Sequence, residues 1–325
     1  MQLDDIRAVC DAQAQQWLAK DDVTAVGIGY LPGTTEIGII IHITEPAKVS
    51  ALAVPTSFNG VKVATKVGRF VHHVSSGVSA RAPVTQLAPA TDTKPAPTTE
   101  VELGNPRDAT FEPMIGGVSA NPNYWSSESM GTLGMAIKNA SGQPVILSNY
   151  HVICRSNPAV GDEVAQPAHE ILFHLAATLQ DFILGNYTYN GAQYGMDAAI
   201  ALPTNGRSAQ LGAIYGFQGT VYTTAGTPNL GDLVTKSGLT SNITNGTVTQ
   251  INTAVKNDSG AILKNQILIQ STSGADFSEQ GDSGSVIINS STSNAVALLW
   301  GGNDQSETVA SPIIPILARF NCTIS

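Results

Sequence analysis

From Pro113 onward, short apolar runs are separated by Gly, Asn and Ser at intervals of roughly 8 to 12 residues, and this punctuation constrains the fold more than any other feature. The runs are 131–137, 144–147, 197–202, 233–237, 246–251, 267–270, 286–288 and 295–300. Thirty-one glycines and seventeen prolines, with abundant Thr, Val, Ser and Asn, suit pleated surfaces joined by tight turns. The spacing therefore predicts an all-β body of sandwich or barrel type. Residues 168–184 fit either period, because His174, Leu175 and Phe182 match helical and extended spacing alike.

The residues before this body differ. Leu3, Ile6, Val9, Cys10, Ala14, Trp17 and Leu18 fall at helical spacing, with Asp4 and Asp5 in the first turn, where they complement the helix dipole. Strand-like runs at 23–30 and 36–43 follow, parted by Pro32-Gly33, and Asn59-Gly60 reads as a hairpin turn. These features predict a small α/β domain over residues 1–74. Residues 75–112 then carry Pro83, Pro89, Pro95, Pro97 and Pro106 among Ala, Thr and Ser, which is a linker composition. The main domain is expected over 113–325.

Apolar residues make up 42% of the chain and charged residues 13%, which argues against a disordered protein. A net charge of −9, with sixteen scattered Lys and Arg, gives no footprint for phosphate backbones, so no nucleic-acid partner is expected. No run approaches the roughly 20 apolar residues that span a bilayer, so no membrane association is expected. The N-terminus carries Asp4 and Asp5 where a secretory signal would be basic, and Cys10, Cys154 and Cys322 are odd in number and far apart. Reduced thiols and a cytoplasmic location are the expectation. His72 and His73 are adjacent, no zinc-type Cys/His spacing occurs, and neither metal nor cofactor is expected.

Amide cleavage needs a nucleophile, a base to take its proton, and donors for the oxyanion. In Glu279-Gln280-Gly281-Asp282-Ser283-Gly284-Ser285, Ser283 supplies a hydroxyl, while Gly281 lets its own N–H and that of Ser283 point into one volume. His151, after the apolar run Ile146-Leu147, has the right pKa for a base that becomes an acid. Asp197 heads the otherwise apolar Ala198–Leu202, where a histidine N–H is a suitable donor for it. Taken singly, each string also fits a blander reading: a glycine turn, a packed histidine, a capping aspartate.

Together, in the order His, Asp, Ser, the three strings resemble the chymotrypsin, or trypsin-like, family of serine peptidases over about residues 114–325. The Ser148-Asn149-Tyr150-His151-Val152 version is similar to bacterial members such as the high-temperature-requirement proteases, and Val234–Thr240 is similar to a strand and turn of bacterial relatives. The resemblance implies two antiparallel six-stranded barrels with the active site between them, His151 and Asp197 on the first and Ser283 on the second. It implies Gly281 and Ser283 as the oxyanion hole, and Leu299-Trp300-Gly301 as the counterpart of the family's Ser-Trp-Gly strand that pairs with substrate. Phe277 falls at the base of the primary specificity pocket, favouring small or medium apolar side chains. A shift of one residue would put Asp276 there and favour Lys or Arg instead.

Met114-Ile115-Gly116-Gly117 resembles the family's mature start, whose freed N-terminus would pair with Asp282, although no Lys or Arg precedes Ile115. The expected function is a serine endopeptidase acting on peptide or protein substrates and regulated through its N-terminal domain, which could also receive a regulatory protein. The alternative is an inert peptidase-fold interaction module.

Overall fold

The computed structural model describes residues 2–73, 75–76, 105–123, 129–168, 175–303 and 305–325. The punctuated apolar runs become two antiparallel barrels. The first is nearly closed and is built from Val118–Pro122, Ser129–Leu133 continuing as Met135–Lys138, Pro144–Ser148, Glu163–Ala165, Leu175–Tyr189 and Ala192–Pro203. The second is a closed ring of six strands: Leu233–Gly238, Asn242–Lys256, Ile262–Ser271, Val286–Asn289, Ala295–Asn303 and Glu307–Pro312. Pairing of Leu233–Gly238 with both Asn242–Lys256 and Val286–Asn289 closes it. The described part of the ambiguous segment, from Leu175 on, is strand.

The N-terminal elements form where periodicity places them: a helix over Leu3–Leu18, strands over Val23–Tyr30 and Ile37–Ile43, and a turn with positive φ at Asn59 and Gly60. They are not set apart from the second barrel. Val23–Tyr30 is buried on both faces and pairs with the far half of Asn242–Lys256, Ala25 opposite Val255 and Ile28 opposite Ile251. The strands approach so closely that a Cβ on Gly27 would run into the Thr253 side chain. Ile6, Cys10, Trp17 and Leu18 of the helix share one apolar cluster with Val248, Ile267, Ile269 and Val296 of the barrel. A strand apolar on both faces needs a helix on one side and a sheet partner at its edge, and the barrel supplies the partner.

Of the expected linker, residues 77–104 lie outside the described residues, and both flanks are built into the fold. Ser75–Ser76 pair with Ser129 and Met130. Pro106–Asp108 form a 3-10 turn in which Arg107 is buried, its guanidinium bonded to the Gly117 carbonyl at 2.8 Å, Ser237 Oγ at 2.7 Å and Asn242 Oδ1 at 2.9 Å. An arginine satisfied in this way joins the two barrels. Sequence also gave no warning of the helix Ile313–Phe320, whose Ile313, Ile316, Leu317 and Phe320 pack with Met135, Leu147 and Met196. Pro315 masks it in the sequence, although proline is tolerated in a first helical turn. The three cysteines are buried and unbridged, and no described helix is long and apolar enough to cross a membrane.

Candidate active site

His151 lies in the short helix Tyr150–Ile153 that follows Pro144–Ser148. The neighbouring strand Ala192–Pro203 carries Asp197, which is fully buried. His151 Nδ1 is 2.5 Å from Asp197 Oδ2, and the His151 backbone N–H donates to Oδ1 at 3.1 Å. The Asn149 side-chain amide donates to the Asp197 carbonyl at 2.6 Å, which fixes helix and strand together. Burial alone would raise the Asp197 carboxyl, but His151 and a second histidine, His72, hold it below the ordinary carboxylate range. His151 Nε2 is buried with no hydrogen-bond partner among the described residues.

Ser283 sits across the cleft in the turn before Val286–Asn289, with Gly281 at φ +100° and Gly284 at φ +97°. A Cβ on Gly284 would collide with the Thr132 carbonyl, so this turn needs glycine for space as well as for φ. The Ser283 hydroxyl donates to the Trp300 carbonyl at 2.8 Å rather than to His151.

Asp282 is buried. It meets the equally buried Lys236 ammonium at 3.0 Å and accepts from Ser241 Oγ and from the N–H groups of Thr240, Ser241 and Glu279. Burial by itself would raise the Asp282 carboxyl; Lys236 and these donors hold it below its ordinary value. The role imagined for a freed Ile115 N-terminus is thus filled by Lys236. Ile115 lies within the strand Met114–Gly116, paired with Ala209–Ile214.

Of Leu299, Trp300 and Gly301, the last two lie on the edge that faces the cleft. Leu299 belongs to the barrel core, and its backbone is engaged by Gly284 and Ser285. The edge facing the cleft is Trp300-Gly301-Gly302-Asn303, and it is occupied: Phe70–His72 lies antiparallel on it, with His72 opposite Gly301, Val71 opposite Gly302 and Phe70 opposite Asn303. The His73 N–H donates to the Trp300 carbonyl at 3.2 Å, and the His73 carbonyl accepts from Gly281 N–H at 2.9 Å.

The His73 imidazole enters the pocket expected for Phe277. Its Nδ1 is 3.1 Å from Ser278 Oγ, which pairs in turn with Thr308 Oγ1 at 2.5 Å, and a Cβ on Gly302 would strike the ring. Phe277 is fully buried in the core cluster with Val234 and Val248, while Asp276 is exposed. Adjacent extended residues point to opposite sides, and here Ser278 rather than Phe277 turns toward the cleft.

His72 is the residue that motif reasoning missed most completely. Its Nε2 is 3.2 Å from Asp197 Oδ2, its Nδ1 is 2.8 Å from Asp258 Oδ1, and its ring meets that of His151 edge-on at 4.7 Å. Burial would depress its pKa, but Asp197 and Asp258 outweigh that and raise it. Ligand-type atoms of His72, His151 and Asp197 lie within 4.8 Å of one another, yet Asp197 Oδ2 takes both imidazoles at hydrogen-bond or ion-pair range. The signal available in the sequence was the strand-like Phe70-Val71 running into His72-His73.

No family model and no curated protein sequence matches the chain. Among solved structures, a protease from Nocardiopsis is similar over 64% of this chain and 97% of its own, at 21% identity and a TM-score of 0.46. A chymotrypsin from Cellulomonas bogoriensis is similar over 64% and 96%, at 20% identity and a TM-score of 0.44. A glutamic-acid-specific serine protease, described as using a histidine triad in substrate binding, is similar over 65% and 100%, at 18% identity and a TM-score of 0.48. At these identities and TM-scores the likenesses carry no argument about this chain. With two barrels, His151 and Asp197 on the first and Ser283 at the second, the chain has a chymotrypsin-type fold.

Proposed function

We propose that the chain is a serine endopeptidase in which Ser283 is the nucleophile, His151 the general base and Asp197 the carboxylate that orients it. The observation that carries this reading is a peptide strand laid antiparallel on Gly301–Asn303 with its carbonyl on the Gly281 N–H, beside Ser283 and the His151–Asp197 pair. Asp197 holds the His151 Nδ1 proton and so leaves Nε2 as the basic nitrogen. Rotation of the Ser283 hydroxyl from the Trp300 carbonyl to Nε2 would prepare it for attack. The N–H groups of Gly281 and Ser283 would stabilise the oxyanion, and His151 would then protonate the leaving amine. The substrate class is extended peptide or protein, bound by strand addition.

One observation favours the alternative of an inert binding module: the Ser283 hydroxyl is engaged by Trp300 instead of His151. Phosphonylation by a fluorophosphonate separates the two readings. Because a strand covers the cleft, the reaction is measured in the parent and in Val71→Pro, since proline cannot sit within the paired strand. Labelling of Val71→Pro, absent from Val71→Pro/Ser283→Ala, is expected. An unreactive Ser283 in both proteins would leave the binding module as the function.

A further inference from the structure

The strand in the cleft belongs to the chain itself, and it lies there as a substrate would. On one side of Ser283, Phe70–His72 continues the barrel sheet along Gly301–Asn303; on the other, Ser75–Ser76 pairs with Ser129 and Met130. Between them His73 is held at three points: its N–H on the Trp300 carbonyl, its carbonyl on the Gly281 N–H, and its imidazole on Ser278 Oγ. The Trp300 carbonyl that takes the His73 N–H also takes the Ser283 hydroxyl, which places nucleophile and His73 backbone at one acceptor. A segment serving only as a spacer between two units has no need of such a register. From this geometry we infer that the peptide bond on the carboxyl side of His73 is the protein's own first substrate, cut in cis by Ser283.

The inference rests on the peptidase reading. Ser283 Oγ forms a bond to the His73 carbonyl carbon, the C–N bond to the next residue breaks, and the Ser283 proton passes through His151 to the departing amine. One water then hydrolyses the ester, leaving a His73 carboxylate and the restored hydroxyl. The N-terminal product stays in place. Val23–Tyr30 remains paired with Asn242–Lys256, and Lys66 remains 3.0 Å from Glu307, so the new carboxylate remains in the cleft as a product inhibitor.

The test is incubation of the purified full-length chain, followed by intact mass and N-terminal sequencing. The expected result is conversion to fragments 1–73 and 74–325 that co-elute, with Val74 as the new N-terminus. The first-order rate should be unchanged over a hundredfold dilution, with no conversion in Ser283→Ala and at least tenfold slowing in His73→Gly. A chain that stays whole, a cut elsewhere, or a rate that falls in proportion to dilution would overturn the inference. The fluorophosphonate result on Val71→Pro separates the causes. A reactive Ser283 in a chain that stays whole removes only the self-processing assignment, whereas an unreactive one removes the peptidase reading with it.

Discussion

Lys236→Met tests how the oxyanion loop is held, because Lys236 forms an ion pair with Asp282 and both side chains are withdrawn from water. Removing one partner of a buried ion pair typically costs about 3–5 kcal/mol, since the remaining charge is left uncompensated. Asp282 would keep the Ser241 hydroxyl and the N–H groups of Thr240, Ser241 and Glu279. These four donors place the loss at the lower end, about 3 kcal/mol, a large fraction of the roughly 5–15 kcal/mol available to a folded domain. Urea unfolding should show a lower midpoint with an unchanged slope. The Asp282 carboxyl is depressed in the fold, so the stability it contributes is present above its unfolded pKa near 3.9 and disappears as pH falls through the folded value. In Lys236→Met that depression is relieved, and the gap between variant and parent should narrow as pH falls below about 5. Asp282→Asn added to Lys236→Met should restore much of the loss, because the stranded charge is then gone. A Lys236→Met protein within about 1 kcal/mol of the parent at neutral pH would refute the assignment.

Two further outcomes are expected. Seating of the Phe70–His73 strand, read by amide hydrogen exchange at Gly301 and Gly302 in Ser283→Ala, should be strongest near pH 6.5, the ordinary histidine pKa. Burial holds His73 down to about 4, against Asp282 and Asp276 and with His151 and Lys236, so below pH 6.5 the released strand takes up a proton that the seated one refuses, and seating weakens. His72 is raised by Asp197 and Asp258, so its contribution is complete below pH 6.5 and is lost as pH rises through its seated pKa; protection that changes in one direction only from pH 4 to 8 would contradict this pairing. Arg107→Ala should destabilise the chain by about 2–4 kcal/mol in chemical denaturation, because Gly117, Ser237 and Asn242 lose a buried donor, and Arg107→Lys should recover little for want of the guanidinium fork.

The sequence by itself determined what local chemistry determines. Turn residues and short β-branched runs fixed an all-β body, helical spacing fixed Leu3–Leu18, and Asn59-Gly60 fixed a hairpin, because each depends on neighbours a few residues away. His151, Asp197 and Ser283 were singled out by the resemblance that their three strings carry together, since each string alone also fits a blander reading, and the structure brings His151 onto Asp197 with Ser283 across the cleft. What only the tertiary structure decided is register and pairing over long separations. Whether Phe277 or Ser278 enters the pocket, and whether Leu299 or Trp300 offers its carbonyl to the cleft, turns on a single step along the chain, and such a step exchanges the two faces of extended backbone. Lys236 finding Asp282, Arg107 joining the barrels, and His72 reaching Asp197 each depend on ion pairs and hydrogen bonds between segments remote in sequence. No periodicity records such contacts, because they join segments that only the packing of the barrels and the N-terminal strands brings together.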